Sequence, residues 1–98
     1  MISLEQVHNI QPENCFIEAL YFFDILTDDL KECKHNHEKR QLQVLLEASQ
    51  IILQKIDTYC ESSVERRKLC KSINEYCDQV ENLLEGLKRF KKKFITMH

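Results

Sequence analysis

Glycine and proline are nearly missing from this chain: its 98 residues hold one of each, Gly86 and Pro12, and no tryptophan. Both residues punctuate a chain at turns, so a sequence this poor in them has room for few breaks. With 43% hydrophobic and 31% charged residues, the composition is that of long helices joined by short links. An apolar run of the roughly 20 residues needed to cross a bilayer is also lacking. The longest apolar stretches are short clusters such as ALYFF. The opening MISLEQVHNI has neither the basic start nor the apolar run of a secretory signal. These absences lead to the expectation of a soluble, all-α protein without membrane contact.

Charge of one sign is not in excess, the formal net charge being -2. There is no general pull toward nucleic acid or an anionic membrane, and any electrostatic function has to come from local patches. No nucleic-acid partner is expected. Five cysteines, Cys15, Cys33, Cys60, Cys70 and Cys77, are an odd number, which fits reduced thiols in a cytoplasmic or nuclear setting. No glycine-rich phosphate loop and no paired catalytic carboxylates are legible, so neither an enzyme nor a cofactor is expected.

What is present is helical periodicity. Residues 1–13 read as a lead-in, in which Ser3 and Gln6 could cap a short turn. Pro12 disfavours helical geometry at Gln11 and suits the first turn of the next element. Phe16, Leu20, Phe23, Leu26, Leu30 and Cys33 then recur at steps of three and four, which predicts a first long helix over about 14–34. The polar run KHNHEKR breaks the pattern and offers Asn36 as the next cap. A second stripe, Leu42, Leu45, Ile52, Ile56 and Tyr59, is interrupted at Ser49 and broadened by Val44, Ala48 and Ile51. It predicts a helix over about 37–60. Ser62 and Glu65 stand at capping-box spacing. Beyond them Leu69, Ile73, Tyr76, Val80, Leu83, Leu87 and Phe90 predict a third helix over about 63–94, weakened but not ended by Gly86.

Helices of these lengths span about 35 and about 45 Å for the second and third, and short links force neighbours to run antiparallel. The expected architecture is an elongated antiparallel three-helix bundle over residues 14–96, in one domain.

Several segments carry functional residue types. Cys33, His35 and His37 are three metal-ligand types within five residues, but no matching second pair follows, and a polar corner explains them as well. No metal is expected. Cys15, Cys33, Cys60 and Cys77 lie on or beside apolar stripes, where cysteine acts as a small hydrophobe. Lys88 to Lys93 place five cations in six residues, which also complements the dipole at a helix C-terminus.

The more specific signal flanks the second link. Glu47, Gln50, Gln54 and Asp57 step by three, four and three, forming a polar ridge beside the apolar stripe. Arg66 and Asn74, eight residues apart, share one side of the third helix. In an antiparallel pair the two ridges lie side by side. The plain alternative is an intramolecular bridge from Asp57 to Arg66 or Arg67 on a wet surface.

These residues resemble the BAG domain, the athanogene-type co-chaperone domain. In that family the second helix carries an acidic residue and, ten residues later, an aspartate within an ILxxID phrase; here Glu47 and Ile52-Leu53-Gln54-Lys55-Ile56-Asp57 stand so. Its third helix opens with an arginine and a second base, then an apolar pair, and a glutamine eight residues after the arginine. Arg66, Arg67, Leu69-Cys70, Ile73 and Asn74 occupy those places. Asn74 departs from the family's glutamine, keeping the amide but shortening its reach. The match covers about residues 42–80.

The resemblance implies binding to the nucleotide-binding domain of the seventy-kilodalton heat-shock chaperones (heat shock protein 70) and acceleration of ADP release. It implies that Glu47 and Asp57 accept bonds from chaperone cations, that Arg66 pairs with a carboxylate, and that Asn74 hydrogen-bonds nearby. Gln50, Gln54, Arg67 and Cys70 complete the partner-binding set. A second resemblance competes, to the microtubule-interacting and trafficking modules, for which INEYCDQVENLLEGL is suggestive. Those take a partner helix in an apolar groove, here beside Leu83 and Leu87. A monomer is expected, with a homodimer through the cysteine-bearing faces left open.

Overall fold

In the structure, a computed structural model, the backbone is described for residues 1–36 and 38–96 and the side chains for residues 1–33 and 38–88. Within these limits the chain is helical and contains no strand. It forms α1 (Leu4–His8), a 3-10 turn (Pro12–Asn14), α2 (Cys15–Asn36), α3 (Lys39–Tyr59) and α4 (Val64–Thr96). Four α-helices stand where three were expected, the addition being α1.

Alpha-1 starts with a reciprocal cap. The Gln6 backbone N–H donates to Ser3 Oγ at 3.3 Å, and the Ser3 N–H donates to Gln6 Oε1 at 2.9 Å. Five residues are too few for a free-standing helix in water, since nucleation outweighs so short a gain. Burial supplies the rest. Ile2, Val7 and Ile10 are at most 4% exposed and belong to the main core, so residues 1–13 do more than lead in. Lys55 Nζ on α3 donates to the His8 carbonyl at 3.0 Å, and the Ile2 N–H donates to the buried carboxylate of Asp29 on α2 at 2.9 Å. Both bonds hold the N-terminal segment against the long helices.

Alpha-2 buries Cys15, Ala19, Leu26, Leu30 and Cys33, with Phe16, Phe22, Phe23 and Ile25 packed against the core. The expected stripe is corrected at one place: Leu20 is 44% exposed and Ala19 fully covered. Alpha-3 buries Leu42, Leu45, Ala48, Ser49, Ile52 and Ile56. Tyr59, read as the end of that stripe, is 40% exposed. Ser49 is no interruption. Its hydroxyl donates to the Leu46 carbonyl at 2.7 Å, which leaves the Cys77 thiol on α4, 3.0 Å away, to donate to Ser49 Oγ. Alpha-4 contributes Leu69, Ile73, Tyr76, Cys77, Val80 and Leu84, with Leu83 and Leu87 at the margin; the Phe90 side chain lies outside the described residues.

Both expected caps move. Asn36 is the last residue of α2, and α3 starts after Glu38 without a side-chain cap. Ser63, not Ser62, caps α4, its Oγ accepting from the Arg66 N–H at 3.1 Å. An N-cap side chain reaches the third helical N–H, here that of Arg66, because α4 begins at Val64, one residue later than its sequence signal.

Cross-links between helices come in a consistent order. Cys33 on α2 donates to Gln41 on α3 at 3.3 Å, Arg66 on α4 meets Asp57 on α3, and Cys77 meets Ser49 further along the same two helices. Tyr76 Oη donates to the Leu26 carbonyl on α2 at 2.8 Å, and its ring lies edge-on to Phe23 with centroids 5.7 Å apart. The described chain extends 54 × 23 × 19 Å.

Candidate functional site

The site forms where α3 ends and α4 begins. Alpha-3 closes at Cys60, whose backbone is extended (φ -95°, ψ 137°), and only Glu61, Ser62 and Ser63 separate it from α4. The Ser63 cap fixes the first turn of α4 and so aims Arg66 back across the link. Arg66 Nη2 donates to Asp57 Oδ1 at 3.0 Å. The two partners are unequally exposed: the Arg66 side chain is 21% accessible and that of Asp57 84%. Asp57 therefore keeps its second oxygen in water.

Below this pair lies an open hollow of about 460 Å³ between α3 and α4, lined by Leu53, Asp57, Arg66, Arg67, Cys70 and Asn74. Five of the eight expected partner-binding residues thus share one depression. Leu53 was not among them. Its position one turn before Asp57 on the same helix face was the available signal. Leu53 and Cys70 give the hollow an apolar floor, with a carboxylate, two guanidinium groups and an amide around it.

The remaining three sit elsewhere. Glu47 and Gln50 are exposed further up α3, outside the hollow. Gln54 borders a separate hollow with His8, Ile51, Lys55, Thr58 and Tyr59, and its carbonyl accepts from Thr58 Oγ1 at 2.8 Å. The ridge spaced three, four and three is continuous along α3, but a helix face spans more than the side turned to α4.

Burial pushes the Cys70 thiol above its ordinary value, Arg66 opposing and Cys60 and Asp57 adding to the rise. The thiol is held protonated and neutral, a contact surface more than a nucleophile. The Cys33 thiol is likewise raised, first by burial and then by Asp29. It is engaged with Gln41, and the side chains of His35 and His37 lie outside the described residues. Among the described residues no three His, Cys, Asp or Glu side chains gather as a metal site. Of the basic run, Lys88 is exposed, and the side chains of residues 89–93 lie outside the described residues. No helix among the described residues is long and apolar enough to cross a membrane.

Comparison with protein-family models, curated proteins and solved structures finds no match to this chain. The chemistry of the α3–α4 face is complementary pairing: an exposed carboxylate for a cation, guanidinium groups for carboxylates, and a small apolar floor for a side chain to cover.

Proposed function

We propose that this protein is a co-chaperone that binds the nucleotide-binding domain of a seventy-kilodalton heat-shock chaperone and promotes ADP release, with no catalysis of its own. In this reading it is a cytoplasmic BAG-like domain in which α2, α3 and α4 form an elongated antiparallel three-helix bundle braced by α1. The observation that carries it is the convergence of Asp57, Arg66, Arg67, Cys70 and Asn74 on one hollow. These are the positions at which the sequence resembles the family.

The mechanism needs only differential binding. A stiff helix pair that holds the open nucleotide cleft better than the closed one favours opening by that difference in affinity, and the nucleotide leaves as its contacts separate. Charge steers the encounter and sets register. The intramolecular Arg66–Asp57 pair does not obstruct this. Exposed pairs contribute between zero and about 1 kcal/mol, so exchanging one partner for a chaperone side chain costs little.

The test is release of fluorescent ADP from a chaperone nucleotide-binding domain, followed by stopped flow. The parent protein should accelerate release, and Asp57→Ala and Arg66→Ala should each lose most of that acceleration. No acceleration and no complex by calorimetry would sink the proposal. Peptide-helix binding that depends on Leu83 and Leu87 would then favour the groove-type module.

A further inference from the structure

Exposed apolar side chains are unevenly distributed. Six large ones stand out among the described residues, and five of them gather at one end: Ile17, Leu20 and Tyr21 early in α2, Tyr59 at the end of α3, and Val64 at the start of α4. Ile17 and Tyr21 are 70% and 62% exposed. On α2 the three residues stand at i, i+3 and i+4 and form one stripe. Lone surface hydrophobics need no explanation, but a contiguous group of this kind marks a contact surface.

The stripe runs into a hollow of about 430 Å³ between the start of α2 and the α3–α4 link. Phe16 and Tyr59 wall it, and Cys15 and Cys60 lie within it. Leu20 stands one turn beyond Phe16 on α2, so the stripe continues into the hollow that Phe16 lines. It shares no lining residue with the hollow at Asp57 and Arg66.

Charge at the hollow is weighted to one sign, although Lys55 stands beside it with its Nζ 5.5 Å from the centre of the Tyr59 ring. Glu13, Glu61 and Glu65 line the hollow, and no lysine, arginine or histidine does. Further down α2 the exposed Asp24 and Asp28 continue the same face beyond Tyr21. From Glu13 to Asp28 the face is about 22 Å long, room for a partner helix of about 15 residues. An isologous contact between two copies would set these acids against each other, and an anionic lipid surface would be repelled.

We infer that the Ile17–Leu20–Tyr21 stripe and the adjoining hollow form a second docking site, whose occupant is a basic amphipathic helix of another protein. Its apolar residues cover the stripe, and a lysine or arginine side chain enters the hollow between Phe16 and Tyr59. There it meets the Phe16 ring and the rim glutamates, which together favour a cation, while the Tyr59 ring keeps its own partner in Lys55.

The test uses the full chain and a fluorescent amphipathic peptide of leucine and lysine, about 15 residues long, with a twin bearing glutamate in place of lysine. Anisotropy should show the lysine peptide bound and the glutamate peptide unbound. Ile17→Ser/Tyr21→Ser and, separately, Glu61→Lys/Glu65→Lys should each weaken binding by about 10-fold or more. All four positions are exposed, so neither pair should disturb folding. The pair Glu75→Lys/Asp78→Lys, exposed on α4 and equal in net charge change, should leave binding unaltered. Equal weakening by that control, equal binding of both peptides, or no binding by the parent would overturn the inference. So would sedimentation showing a dimer of the parent that Ile17→Ser/Tyr21→Ser dissociates, since the stripe would then serve a second copy.

Discussion

The Arg66 guanidinium and the Asp57 carboxylate meet at 3.0 Å across the link from α3 to α4, with Asp57 standing almost wholly in water. Such a pair is screened and contributes little to the fold. Asp57→Ala should therefore shift stability by less than about 1 kcal/mol in urea denaturation, while removing most of the chaperone-dependent activity proposed above. A large stability loss would instead make the pair structural.

Tyr76 ties α4 to α2 through one phenolic hydrogen bond to the Leu26 carbonyl, in a buried setting. Tyr76→Phe keeps the ring against Phe23 and removes only the donor. A cost of about 1 kcal/mol is expected, with the urea slope unchanged. A neutral outcome would show that the ring contact alone carries this junction.

The N-terminal segment is part of the core. Removing residues 1–10 takes away the buried Ile2, Val7 and Ile10 and exposes what they cover. With about 1.5 kcal/mol or more for each buried aliphatic chain, a loss of about 4 kcal/mol or more is expected. Thermal melting of the truncated chain within a few degrees of the parent would contradict it.

Gly86 lies inside α4, and a Cβ placed there would meet nothing within 4 Å. Gly86→Ala should stabilise the protein by about 0.5–1 kcal/mol, through helix propensity and a less flexible unfolded chain. Destabilisation would mean that this stretch of α4 bends in solution.

Alkaline pH should unfold the protein through its buried thiols. Burial, with a contribution from Cys60, pushes the Cys15 thiol from 9.0 up to about 12. Tyr76 is also raised, by burial first and Asp29 second. The folded state holds these protons where the unfolded state releases them, so stability is full below about pH 9 and falls as pH rises toward 12. The urea midpoint under reducing conditions should be flat from neutral pH to about 8.5 and then decline. Cys15→Ala should flatten that decline; an identical slope would remove Cys15 as a cause.

Much of the candidate site was legible because its residues lie on two helices joined by a four-residue link. Spacing places Asp57 and Arg66 on facing turns, and the contact follows from direction alone. Gln54 was not separable in this way. It is three residues from Asp57, well within one polar ridge, yet it turns toward His8 and Tyr59 because α1 packs on that side of α3. Leu53 is the complementary case: it lies beside the polar ridge and, being apolar, carries no recognition signal of its own, yet it lines the hollow.

The sequence by itself determined the helical class, the approximate spans of the three long helices and the polar ridges beside the second link, since near-absence of Gly and Pro and a period of three to four leave no other regular structure. Only the tertiary structure decided which borderline positions are covered. Periodicity locates the centre of a face but not its edges. Ala19 is inside and Leu20 outside, and Ser49 is buried where Tyr59 is not, because neighbouring helices set those edges. The short α1 is the clearest case: its cap is local, but five residues hold a helix only because Val7 and its neighbours find a core built by residues far along the chain.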